Sequence, residues 1–188
     1  MSKQLDNIKT SQQAIRKINR PQESGIVGSG KLPPQAVDLE EAVLGALMLE
    51  KGPLNDVIDI INRPDIFYKD AHKKIYEAIQ ELFSESESID ILTVTQRLRS
   101  NGNLDSCGGA FYISQLTNRV ASAAHAETHA RIIVQKFIMR ELIRISGKVI
   151  QQAYDETTDV FNLLDEAESE LFAVAEGNIR KDYQNMTD

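Results

Sequence analysis

The sequence predicts an all-α protein, a globular helical bundle followed by a long antiparallel helical hairpin. Three observations carry this. Apolar residues recur at three-to-four spacing along most of the chain, and period-two alternation is absent. From about Ser122 to Tyr154 there is no Pro and only one Gly, so one helix of roughly thirty residues is allowed, far beyond the usual three or four turns. After a polar break at Asp155 to Asp159, a further apolar stripe runs to Gly177, which requires the chain to fold back.

Taken in order, the first helix carries Val37, Val43, Leu44, Leu47 and Met48 and is ended by Gly52-Pro53. A second covers Leu54 to Ile61, with Val57, Ile58 and Ile61 on one face, and stops before Arg63-Pro64. A third starts at Asp70, taken as its N-cap, and carries Ile75, Tyr76, Ile79, Leu82 and Phe83 until the polar run Ser84 to Ser88. Asp90 caps the next, which bears Leu92, Val94 and Leu98 and ends at Gly102. Gly108-Gly109 then leads into Phe111, Tyr112, Ile113 and Leu116.

The long helix has two apolar rows. Val134, Ile138, Leu142, Ile145 and Val149 form one; Ile132, Met139, Ile143 and Ile150 lie further round. The last helix, capped by Asp159, shows the heptad-like stripe Leu164, Ala167, Leu171 and Val174. Charge separates the two arms. Arg119 to Lys148 holds six basic residues against Glu127 and Glu141, whereas Asp155 to Glu176 holds eight acids and no base. Complementary flanks would fix the register of a hairpin. A two-helix hairpin cannot cover both rows of its longer arm, and each exposed Leu or Ile forgoes about 1.5 to 3 kcal/mol of burial. A partner surface is implied, and the simplest is a second copy of the hairpin.

Composition narrows the function. With 188 residues the chain makes one domain, or one domain plus an appendage. It has no apolar run long enough for a membrane span, and Met1 to Arg20 lacks the apolar region of a signal peptide. The single Cys107 forms no internal disulfide, which fits the cytoplasm. Trp is absent, His numbers three and aromatics are 6%, so the side chains that build metal sites, stacking platforms and nucleophilic triads are scarce. Residues 1 to 31 carry six basic groups against Asp6 and Glu23, leaving −11 for the rest of a chain of net charge −7. We read residues 1–32 as a disordered basic tail. The acidic remainder argues against duplex binding, which draws on Lys and Arg.

Three motif matches fail on chemistry. Gly25 to Lys31 approaches the phosphate-binding loop, but Leu32 replaces the Mg²⁺-binding hydroxyl, Pro33-Pro34 follows, and no apolar strand precedes. His125 and His129 stand one helical turn apart, yet Glu127 is not placed as in the zinc-protease pattern and His72 belongs to a distant helix. A helix-turn-helix around Asn101-Gly102 would read DNA with Ala110 to Thr117, which contains no Lys, Arg or Asn. Two rival readings follow, a nucleic-acid-binding adaptor acting through the basic tail and a metal enzyme built on the His125/His129 pair.

A set of short motifs in fixed order resembles a known family. Pro33-Pro34 leads into Asp38-Leu39-Glu40-Glu41-Ala42-Val43-Leu44-Gly45-Ala46-Leu47-Met48-Leu49. Asp65-Ile66-Phe67-Tyr68 with His72, Ile89-Asp90-Ile91-Leu92-Thr93, Leu104 to Gly109 and Ser122-Ala123-Ala124 follow. This order, from about Leu32 to Glu176, resembles the N-terminal domain of the bacterial DnaB-type replicative DNA helicases; Cys107 stands where a small apolar residue is common. The resemblance implies a helical body (33–119) and a dimerisation hairpin (120–177), with 178–188 opening a linker toward a RecA-like motor outside this chain. It also implies hairpin-paired dimers assembled as a trimer of dimers in a hexameric ring, docking of the primase C-terminal domain, and a helicase loader as a further candidate partner. ATP and magnesium would serve the motor, which would also make most of the DNA contacts. This chain would hold no cofactor, metal or catalytic residue of its own, and its interface residues would be the apolar side chains of the hairpin.

Overall fold

The computed structural model describes residues 30–118 and 123–179, with backbone alone at 178 and 179. Most of the expected basic tail, the start of the phosphate-loop-like stretch, Arg119, Ser122 and nearly all of the expected linker lie outside the described residues. Among the described residues the fold is all-α, with no strand. The helices are α1 (Val37–Leu49), α2 (Leu54–Ile60), α3 (Asp70–Ser84), α4 (Ile91–Ser100), α5 (Gly109–Asn118), α6 (Ala126–Ala153) and α7 (Val160–Ile179). Short 3₁₀ turns at Pro64–Ile66, Asp105–Cys107 and Ala123–His125 join them.

The body is organised around α1, which packs against α3, α4, α5 and α6. Helix α1 therefore has almost no solvent face: Glu40, Glu41 and every residue from Val43 to Met48 are buried. Helix α3 is amphipathic and contributes His72, Ile75, Tyr76, Ile79 and Leu82 to the interior. Tyr76 is wholly buried, its hydroxyl donates to the Ile61 carbonyl at 2.5 Å, and burial raises its pKa. Val94 and Leu98 of α4, Ile113 and Leu116 of α5, and Ala130, Ile133 and Phe137 of α6 complete one continuous core. Leu92 and Phe111, read from the sequence as parts of the apolar pattern, point outward, at 80% and 74% exposure.

Helix ends follow local chemistry. Asp90 is the N-cap of α4: its carboxylate accepts from the Leu92 and Thr93 amides, and Thr93 Oγ1 accepts from the Asp90 amide, a reciprocal capping box. Asp159 caps α7 in the same sense, accepting from Phe161 and Asn162. Asp70 is not a cap. Lys69 occupies that place with an extended backbone, and Asp70 is the first helical residue, paired with Lys73 at 2.7 Å. The long helix begins at Ala126, after a 3₁₀ turn, and α7 runs through Gly177 to Ile179 instead of ending there.

Both α3 and α4 close with a left-handed residue and paired return bonds. After α4, Gly102 has φ +69°, with Asn103 N donating to Leu98 O and Gly102 N to Arg99 O. After α3 the same bonds run from Glu87 to Leu82 and from Ser86 to Phe83, but the left-handed residue is Ser86, φ +58°. A side chain there opposes the backbone. Ser86→Gly should therefore stabilise the fold by about 0.5 to 1 kcal/mol in a urea melt, and Ser86→Val should destabilise it.

Candidate interaction surface

The hairpin grows from α6. Its N-terminal part lies on the body through Ala126, Ala130, Ile133 and Phe137, a stripe spaced four, three and four that the sequence reading did not single out. Further along, α6 leaves the core and packs against α7. The joint is held by Arg140. Its guanidinium donates to the carbonyls of Pro34 at 3.0 Å and Ile66 at 2.7 Å, and lies over the rings of Tyr68 and Phe137. Arg63 also stacks on Phe137, 4.7 Å from the ring centroid. Partial burial lowers the Arg140 pKa, opposed by the nearby Glu40 charge.

The opposite charges of the two arms do meet. Arg144 pairs with Glu170 at 2.9 Å and with Glu141 on its own helix, while Lys148 reaches Glu166 at 2.5 Å and Glu170 at 2.6 Å. Hydrogen bonds from Lys148 hold the carboxyls of Glu166 and Glu170 below the usual carboxylate range. Hydrogen bonds to Glu166 and Glu170 raise Lys148, and those to Glu170 and Glu141 raise Arg144.

The sequence-named residues fall into three groups. Ile145 is buried, at 2% exposure, in the stretch of α6 that pairs with α7, and Val134 packs against the body core. Ile132, Ile138, Val149, Ile150 and Val174 are half-buried. Met139, Leu142, Ile143, Leu164 and Leu171 are exposed, and Val160, Phe161 and Phe172, absent from the sequence reading, are exposed with them. On α7 the partly covered stripe is Leu163, Ala167, Glu170 and Val174, whereas Leu164 and Leu171 are 64% and 46% exposed. The stripe read from the sequence thus mixes the covered face of α7 with its open one.

A second polar feature lies in the body. His72 is fully buried, with Nδ1 2.7 Å from Glu40 Oε2 and Nε2 2.8 Å from the Tyr112 hydroxyl. Tyr112 also lies 3.1 Å from Glu41 Oε1, and Glu40 Oε1 accepts from the Tyr68 amide at 2.7 Å. His72 is thus engaged away from His125, which ends the 3₁₀ turn, and His129 on α6, whose rings stand 6.2 Å apart. Among the described residues no group of three or more His, Cys, Asp or Glu side chains could hold a metal ion. Cys107 is buried, and that burial raises its thiol pKa.

Body, joint and hairpin define a class, an all-α domain with a long helical appendage, and comparison with known proteins places it. The model of the DnaB-like helicase N-terminal domain matches residues 32–135. The replicative DNA helicase DnaB of Rhodothermus marinus is 42% identical over 160 residues, 85% of this chain and 17% of that protein. The replicative DNA helicase DnaC of Bacillus subtilis is 37% identical over 84% of this chain and 35% of that protein. The chain therefore spans about a third or less of the curated relatives it matches. The crystal structure of the N-terminal domain of DnaB helicase from Mycobacterium tuberculosis superposes with a TM-score of 0.71 at 36% identity, covering 75% of this chain and 99% of that one. A DnaB-like replicative helicase described with its interactions with primase shares the fold, with a TM-score of 0.60 at 24% identity over 80% of this chain and 34% of that one. This chain belongs to the DnaB-like helicase N-terminal domain family.

Two predictions follow from the hairpin and its joint. Replacing Arg140 by Met strands two carbonyls and should cost about 1 to 3 kcal/mol in a denaturant melt. Lys restores only part of this, because it lacks the planar fork that bridges both carbonyls. Separately, Glu166 and Glu170 have folded pKa values below their unfolded ones. Their contribution is present above the unfolded carboxylate range and is lost as pH falls through the depressed folded values. Amide protection in α7 should therefore drop on acidification, and protection that stays constant down through the carboxylate range would refute the pairing.

Proposed function

We propose that this chain is a non-catalytic assembly and docking module of a replicative DNA helicase. The observation that carries this is the open apolar face of the hairpin, formed by Met139, Leu142 and Ile143 on α6 and Val160, Phe161, Leu164, Leu171 and Phe172 on α7. Large apolar patches of this kind mark interaction sites. At about 1.5 to 3 kcal/mol for each side chain fully buried, the set can offset the cost of association.

On this reading hairpins pair protomers, and family likeness extends the pairs to a trimer of dimers forming one tier of a hexameric ring. The primase C-terminal domain docks on that tier. The relative described with primase motivates this step, and its likeness to the present chain is one of fold. ATP and magnesium serve a motor domain outside this sequence, which also makes most of the DNA contacts. A helicase loader is a further partner, and the setting is the cytoplasm. Among the described residues no helix is long and apolar enough to cross a membrane.

Sedimentation or light scattering at tens of micromolar tests the pairing. A species of twice the chain mass or more is expected, and a strictly monomeric one would overturn the reading. Leu142→Asp should return the chain to a monomer with unchanged helicity, since Leu142 is 42% exposed in the single chain and the variant need not disturb folding. Ile138→Asp should do the same with some loss of stability, because Ile138 is already half-buried.

A further inference from the structure

Helix α7 is the least anchored element of the chain. Among its described residues none is buried: Leu163, Ala167, Glu170, Val174 and Ala175 are half-covered and the others are exposed. Every other element buries at least one side chain, down to Val57 in the short α2 and Ile66, Cys107 and Ala123 in the 3₁₀ turns. The substantial packing of α7 is on α6 alone. What fastens it there is mostly charge, in the pairs of Arg144 with Glu170 and of Lys148 with Glu166 and Glu170, which lie at the surface where water and salt screen them. Near the turn, Gln152 Nε2 donates to Glu166 at 3.4 Å, but its Oε1 is shut off from solvent without a hydrogen-bond partner among the described residues, a cost that separation of the arms removes. The helix also gives itself little support. It carries Asp165, Glu166, Glu168, Glu170 and Glu176 and no base, and Glu166 and Glu170 stand one turn apart, where like charges oppose a helix.

From this we infer that α7 opens from α6 while the body stays folded, and that a second copy seated on the open face closes it, so that arm closure and pairing form one coupled equilibrium. The inference rests on the hairpin-pairing reading above. The open face is composite, with Met139, Leu142 and Ile143 from α6 and Phe161, Leu164, Leu171 and Phe172 from α7. A partner that covers both arms therefore meets its full surface only in the closed arm. Opening lowers the fraction of chains able to pair, and pairing in return holds α7 closed by the same amount.

Lys148 thereby acts on assembly from outside the apolar set, because it points at the α7 acids. Ionic strength enters by the same route. Salt screens the cross-arm pairs and so weakens pairing, although burial of apolar surface is not itself screened.

Hydrogen exchange read by mass spectrometry on the full chain, dilute and concentrated, tests the coupling, with light scattering on the same samples. In the single-chain species amide protection in α7 should lie roughly a hundredfold or more below that in α3. It should rise with the fraction of paired chains while α3 stays constant. Protection in α7 that equals that of α3 in the single chain, or that does not change on pairing, overturns the inference and leaves pairing intact. A chain that stays single at every concentration overturns pairing and this inference with it. Lys148→Glu sets a third carboxylate against Glu166 and Glu170 and should raise the dissociation constant of the pair roughly tenfold. Adding Glu166→Lys, which exchanges the charges across the arm, should recover most of that loss. A dissociation constant unmoved by Lys148→Glu, or not recovered by the exchange, also overturns the inference, and unchanged α3 protection shows that the body is folded in both variants.

Discussion

Ala126, Ala130, Ile133 and Phe137 bury one face of α6 in the body. Beyond Arg140 the same helix continues for more than three turns with no core cluster left to lie against. Because the helix is continuous, the direction in which it leaves the body is set by the core stripe and by the Arg140 bonds to Pro34 and Ile66. Everything distal inherits that direction. Helix α7 can only return along the projecting arm, and the open face of the hairpin points where the joint aims it.

Charge does a different job from burial here. The Arg144 and Lys148 pairs with Glu166 and Glu170 are largely exposed, so each adds little to stability. What they select is register, because sliding α7 by one turn would leave Lys148 facing only one of its two partners. The body works the other way round. Its polar groups at Glu40, His72 and Arg140 are removed from water in part or in full, and they are tolerated only because each carries specific hydrogen bonds.

Much of this was legible in the sequence wherever one helix face met one environment. Helix α3 shows it, with Ile75, Ile79 and Leu82 inward and its polar end at Ser84, as does the capping residue Asp90. Legibility failed where a helix met several environments. The rows through Ile138 and Met139 were visible because they are long and aliphatic. The stripe that seats α6 on the body begins with Ala126 and Ala130, too small to stand out, and its Phe137 fell between the two named rows. Arg140 looked like one more base on a basic arm, and nothing in its neighbours announces that it bonds to carbonyls from residues 34 and 66. The hydrogen-bonded cluster around His72 joins residues 28 to 71 positions apart, so no local pattern could show it.

The heptad-like stripe on α7 carries the last lesson. Leu163 and Leu164 are adjacent, so the same spacing fits either face, and the sequence alone cannot tell which one packs inward. The structure turns Leu163, Ala167, Glu170 and Val174 toward α6, a face with one Leu, one Val, one small residue and one acid that pairs across the hairpin. The bulkier set, Phe161, Leu164, Leu171 and Phe172, is turned away. A hairpin optimised as a self-contained unit would invert this choice, burying the Phe and Leu side chains and leaving Ala167 and Glu170 to water. With its Phe side chains and two of its Leu side chains kept off the inner face of α7, the hairpin holds its arms in register through the charged pairs, and much of its apolar driving force stays available for another surface.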